Sequence, residues 1–188
     1  MGKCVIACDD GVVNKLGGGF TVVACVLYGS EHGLTGVGHL PIKVDGLDAS
    51  SQVAYIARRM TGQCPSGAVE AVFFDSITIG GFNIISPPTI AAASGAPVVF
   101  IYKRAPNLSK IADAVIHTRY SWIRMRVLTL LSTVREVNTL KGPLYVVTWG
   151  LLPEEARSLI EKYQVHARMP EPLRIAHYIA SSISRVIF

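Results

Sequence analysis

The chain has 188 residues, enough for one domain of ordinary size with a sizeable core. Half of the residues are hydrophobic and 16% are charged, against roughly 25% charged in an average soluble protein; so few charges leave little to cover a surface, and extensive burial is expected, with a homodimer contact as one way to supply it. A net charge of +5 and a pI near 9.1 favour an anionic partner, nucleic acid or a phosphorylated ligand, over an acidic surface.

Residues 3–9 read as a strand ending in Asp9-Asp10-Gly11, followed by a glycine-rich turn over 11–19 and a second strand over 21–28. A turn at 29–33 leads to a third strand over 34–42. Such short connections join antiparallel neighbours, so the first third is a three-stranded meander. A loop through Asp45 then leads to a helix over 48–61, with Asp48 at the N-cap position, and Gly62, Pro65 and Gly67 end it.

The run 71–74 is too short for a helix and ends on Asp75. From Ser76 no charged residue occurs until Lys103. That stretch is long enough to cross a bilayer, but Pro87, Pro88 and Pro97 interrupt it, so a helix over 87–94 and a strand over 96–102 are expected instead. No secretory signal is read at the N-terminus, and a cytoplasmic location without a membrane partner is expected. Beyond Lys103-Arg104, helices are expected over 107–116, 121–134, 153–163 and 170–188, with a strand over 144–149. Strands alternating with helices describe a single α/β domain over 1–188. Cys4, Cys8, Cys25 and Cys64 show no C-x-x-C spacing and are expected as free core thiols.

A right-handed crossover through the 48–61 helix sets the fourth strand beside the first and parallel to it. Asp9 and Asp75 then stand side by side at the carboxyl ends of strands about 4.8 Å apart. Two such carboxylates share a proton or a cation, and oxygen-only ligands suit Mg²⁺ or Mn²⁺. Asp45 or Asp48, after strand three, would supply a further carboxylate, completing an acidic cluster of the kind that cleaves phosphodiesters. The competing reading makes Asp9-Asp10-Gly11 a plain turn and Asp75 a loop cap. Alternation lets only one of Asp9 and Asp10 face Asp75.

On the closing helix, Ile175, Ile179, Ile183 and Ile187 form an expected core stripe. Arg174, His177, Ser181 and Arg185 line another face, where His177 is either structural or a proton carrier. Glu171 complements the helix dipole.

Several segments occur together in order: Cys8-Asp9-Asp10-Gly11, Val44-Asp45-Gly46-Leu47-Asp48-Ala49, Gly80-Gly81-Phe82-Asn83, Ala96-Pro97-Val98-Val99, and Pro170-Glu171-Pro172-Leu173-Arg174-Ile175-Ala176-His177. Over nearly its whole length the chain resembles the archaeal family called domain of unknown function ninety-nine. More distantly it resembles endonuclease V, a magnesium-dependent nuclease acting at deaminated bases. The resemblance implies a ribonuclease H-like mixed sheet, an antiparallel meander leading into parallel strands flanked by helices. It also implies Asp9 and Asp75 as metal ligands, with Asp48 where the nucleases place a glutamate. Aligning Arg174 with the arginine of the nuclease's Gly-His-Arg-Ile-Ser stretch puts Leu173 at the catalytic histidine, with His177 one turn further on. The nuclease's Pro-Tyr-Ile-Pro wedge is reduced to Leu40-Pro41.

The leading expectation is therefore an Mg²⁺- or Mn²⁺-dependent nuclease acting on DNA or RNA. Its expected catalytic residues are Asp9, Asp75, Asp48 and His177, with Lys103, Arg104 and Arg174 on phosphates. A nucleic-acid-binding module without cleavage is the alternative, and a small-molecule enzyme using the same carboxyl cleft is a third reading.

Overall fold

A computed structural model describes residues 2–13, 19–116, 118, 120–121 and 125–188. Its strands are β1 (Cys4–Asp10), β2 (Phe20–Gly29), β3 (Gly33–Lys43), β4 (Val69–Phe74), β5 (Thr78–Ile79), β6 (Asn83–Ile84), β7 (Val98–Tyr102), β8 (Arg135–Thr139) and β9 (Gly142–Trp149). The described helices are α1 (Ala49–Thr61), α2 (Pro87–Ser94), α3 (Leu108–Ile116), α4 (Arg126–Leu131), α5 (Pro153–Lys162) and α6 (Glu171–Ile187). Much of the expected turn over 11–19, and residues 122–124 of the expected 121–134 helix, lie outside the described residues.

Seven strands form one sheet in the order β3-β2-β1-β4-β7-β9-β8, and β5 and β6 pair separately. β1, β2 and β3 are the antiparallel meander, and β4 runs parallel to β1 as the crossover argument requires. β7 continues in parallel beside β4, while β9 and β8 return as an antiparallel hairpin. This is the expected α/β mixed sheet, an antiparallel meander leading into parallel strands flanked by helices.

The central strand β1 is buried from Cys4 to Asp9 because helices cover both faces. Cys4, Ile6 and Cys8 face the core built with α1 and α2, together with Val53, Ile56 and Ile90. Val5 and Ala7 face the core built with α5 and α6, together with Ile160, Leu173 and Ala176. Asp9 continues the second series, and so do Ala71 and Phe73 of β4, which lead to Asp75.

Three expectations are corrected. First, the fully buried stripe of α6 is Leu173, Ala176, Ala180 and Ser184; of the expected isoleucines, Ile175, Ile179 and Ile183 pack partly buried beside it, and Ile187 is 58% exposed. The reason is close approach to the sheet: a Cβ added at Gly11 would lie 2.4 Å from the Ser184 Cβ and 2.8 Å from the Ala180 carbonyl. Only small residues fit there, so the larger isoleucines are turned aside.

Second, the cysteines are not free. Cys8 bonds to Cys25 and Cys4 to Cys64. Cys8 and Cys25 are register partners across β1 and β2, which linear spacing does not reveal. Third, the β8 strand and the small β5–β6 hairpin were not expected. β8 carries Arg135, Glu136 and Asn138 among its five residues and has only one buried apolar side chain, Val137. Among the described residues no helix is long and apolar enough to cross a membrane.

Candidate active site

The parallel pairing places Cys8 opposite Phe74, so the next residues, Asp9 and Asp75, emerge together at the carboxyl end of the sheet. Asp9 is 3% exposed. Its Oδ1 accepts the Asp10 backbone N–H at 2.8 Å, and its Oδ2 lies 2.8 Å from His177 Nδ1 on α6. Asp9 and Asp75 line the same cleft, close enough for the charge of Asp75 to act on the Asp9 carboxyl group. The two acids thus meet on one face, as the strand geometry demands, and the plain-turn reading does not describe them.

Burial, reinforced by the charges of Asp75 and Asp10, pushes the Asp9 carboxyl up to about 9. Burial also raises Asp75, opposed by its hydrogen bond to Asp9 and by the fields of His177 and Lys103. Such a pair is poorly compensated by protein groups alone.

Asp10, on the opposite face of β1, has another task. Its Oδ2 accepts the Gly80 N–H at 2.8 Å and ties the β5–β6 hairpin to β1. Gly80 has a φ of +57°, and a Cβ there would lie 2.9 Å from Ile42 Cδ1, so the position is reserved for glycine. Burial raises Asp10 to about 6, against the lowering effect of that N–H.

Asp48 does not join the pair. It precedes α1, which packs on the other face of the sheet, and its Oδ1 accepts a hydrogen bond from Asn83 Nδ2 at 2.6 Å. The Lys43 N–H donates to the same carboxylate. Asp48 occupies the N-cap position but makes no side-chain cap; Asn83 Oδ1 accepts the Ala49 N–H instead, at 3.0 Å. Asp45 Oδ1 likewise accepts the Phe82 N–H at 2.8 Å. Among the described residues no group of three or more His, Cys, Asp or Glu is placed to hold a metal.

An open cleft of about 860 Å³ begins at Asp9 and Asp75. Lys103, Arg104 and Arg174 line it, and so does Arg168. Arg168 lies in the loop before α6 and donates from Nη2 to the Lys103 carbonyl at 3.0 Å. Its position immediately before Met169-Pro170 at the head of the site helix was the only clue in the sequence. Arg174 is shared, because its Nη1 lies 2.7 Å from Glu171 Oε2. Glu171 therefore pairs with a cleft cation rather than acting on the helix dipole alone. Tyr102, at the end of β7, accepts the Ile77 N–H at 3.0 Å and holds the segment that follows Asp75.

Asp9 and Asp75 offer carboxyl oxygens, with open solvent and cations beside them. That fits a hard divalent ion which keeps several waters and takes up phosphate oxygens.

A UPF0215 protein of Aeropyrum pernix is 42% identical over 97% of this chain and 98% of its own length. The crystal structure of a protein of unknown function from Archaeoglobus fulgidus superposes with a TM-score of 0.82 at 25% identity, covering 96% of this chain and 98% of that one. Endonuclease V of Ciona intestinalis, solved with a 24mer DNA containing an inosine followed by a ribo-adenosine, superposes at a TM-score of 0.62 and 11% identity, over 100% of this chain and 87% of that one. That likeness shows a shared fold. The family model described as Endonuclease dU matches residues 2–184, and the chain belongs to that family.

Proposed function

We propose that the chain is a divalent-metal-dependent endonuclease that cleaves a nucleic-acid strand at a deaminated base, with deoxyuridine in DNA as the first substrate to test. The observation that carries this reading is the Asp9–Asp75 carboxyl pair, with Asp9 buried and His177 on it, at the head of a cationic cleft. The family description and the inosine-bearing DNA held by an endonuclease V of the same fold support the substrate class.

Asp9 and Asp75 would hold Mg²⁺ or Mn²⁺. When bound, such an ion activates water and offsets the charge that develops on the phosphate. The remaining work falls to the chain. Lys103, Arg104, Arg168 and Arg174 attract and orient the phosphodiester backbone. His177 is fixed through Nδ1 by Asp9, which leaves Nε2 to exchange a proton with an oxygen of the substrate.

The test is incubation of strands carrying a single deoxyuridine, deoxyinosine or inosine with Mn²⁺, Mg²⁺ or EDTA. The reading predicts metal-dependent cleavage near the deaminated base. The second reading, a binding module without cleavage, is favoured by the engagement of Asp48 at Asn83; it predicts tight binding and no product with either metal.

A further inference from the structure

Away from the cleft, exposed apolar surface gathers at the far end of α6. Phe20, the first residue of β2, and Phe188, which follows α6, stack with ring centroids 6.5 Å apart and planes 21° from parallel. Both remain open to solvent, at 48% and 59% exposure. Two stacked rings left open are a feature to be explained rather than ordinary surface. They lie on the same face of the sheet as the cleft, since Phe20 continues the series of Val22 and Ala24 that packs against Ala180 of α6.

The helix connects the two places. Steps of three and four residues lead from Arg174 through His177, Ser181 and Arg185 to Phe188, and such steps stay on one flank of a helix. None of these five is among the buried residues of α6. Contacts to β1, to the segment after it and to β2 hold α6 along its length. His177 meets Asp9, the Val12 N–H donates to Ser184 Oγ at 2.9 Å, and Phe188 meets Phe20. The Phe188 N–H donates to the Ser184 carbonyl, which keeps the last ring in helical register.

Cations flank the rings. Exposed Lys43 is the register partner of Phe20 on β3, and exposed Arg185 sits in the last turn of α6. Open aromatic faces bordered by cations are how proteins hold unpaired nucleic acid without reading its sequence. The rise from His177 to Phe188 is about 16 Å at 1.5 Å per residue, or roughly five stacked nucleotides at 3.4 Å each.

We propose that Phe20 and Phe188 form a stacking platform for an unpaired base of the same strand whose phosphate occupies the cleft, roughly five nucleotides away. The proposal rests on reading the cleft as a nucleic-acid site and adds to it a preference for single-stranded substrate that extends past the cleavage point.

The test is fluorescence anisotropy in EDTA with labelled single strands of about 4 and about 12 nucleotides, lengths that bracket the path along α6. For Phe20→Leu and Phe188→Leu, which keep apolar bulk and remove the aromatic face, the ratio of long-strand to short-strand affinity falls roughly tenfold. Phe188→Tyr keeps the wild-type ratio. A ratio unchanged in both leucine variants overturns the platform while leaving the cleft reading intact. Failure of the wild type to bind either length overturns both. A wild-type dimer in sedimentation that the leucine variants dissociate, with the ratio unchanged, assigns the patch to a second copy and overturns the proposal.

Discussion

β4 carries an acid at each end, and the two are treated in opposite ways. Glu70, near its start, meets Lys162 Nζ at 2.6 Å, Lys3 Nζ at 3.7 Å and the Tyr163 hydroxyl, which donates to it at 2.7 Å. Asp75, just past its end, meets another carboxyl group, and His177 and Lys103 act on it only through their fields. A saturated acid and an unsaturated one thus stand at opposite ends of one strand, both half-buried. A charge that the protein neutralises serves the fold, whereas a carboxyl pair left without compensating groups is where the proposed cation would bind.

Substitutions at the two ends should therefore separate activity from stability. The largest effect expected is on cleavage. Asp75→Asn or Asp9→Asn should reduce metal-dependent turnover by about a thousandfold or more, because the divalent ion supplies several kcal/mol of the catalysis. Glu70→Gln should keep turnover near wild type at temperatures well below its melting point. Loss of turnover in Glu70→Gln without unfolding would erase the distinction. Next comes His177→Ala, where removal of a positioned proton carrier should cost about a hundredfold in kcat.

Each end also has its own disulfide, and here stability is the readout. Cys4–Cys64 spans 60 residues beside the Glu70 end, and Cys8–Cys25 spans 17 immediately before Asp9. Chain entropy assigns them about 4 and about 3 kcal/mol respectively. Replacing Cys8 and Cys25 by serine should lower Tm by about 6 to 12 °C in a chain of this size. Calorimetry with and without a reductant checks both bonds.

The smallest effects carry the sharpest sign. Glu70→Gln should cost about 2 kcal/mol, since charged hydrogen bonds and an ion pair are lost together. Asp75→Asn should raise the Tm of metal-free protein at pH 8. The direction follows from protons. Asp9 is lifted to about 9, Asp10 to about 6 and Asp75 above its ordinary value of 3.8, so the native state binds more protons than the unfolded one between about pH 4 and pH 9. Stability from these groups is fully present below the unfolded value and is lost as pH rises through the folded ones. Metal-free wild type should melt progressively lower across that range, and Asp75→Asn should flatten the slope. A wild-type Tm that rises with pH over the same range would contradict the raised values.

The meander, the crossover and the meeting of Asp9 with Asp75 were legible in the sequence because each follows from strand direction and a period of two. The helices at Pro87–Ser94 and Ala49–Thr61 were equally plain, bounded by proline and glycine. What could not be read was whatever depends on register or on close packing. The Cys8–Cys25 bond needs the β1–β2 register, and the preference for Ala176, Ala180 and Ser184 over the isoleucines needs the proximity of Gly11. The place of Asp48 after strand three suggests a role at the site. Its side chain instead serves Asn83, a contact 35 residues away that no local pattern encodes. Arg168 was passed over for the converse reason, since a single cation in a loop carries no period.

The most direct test is a Mn²⁺ titration of the nucleic-acid-free protein by calorimetry, run on wild type, Glu70→Gln and Asp75→Asn. The account predicts a site in the first two, with protons released as the metal displaces them from the acid pair, and none in Asp75→Asn. Equal Mn²⁺ affinity and equal proton release in Asp75→Asn would contradict it.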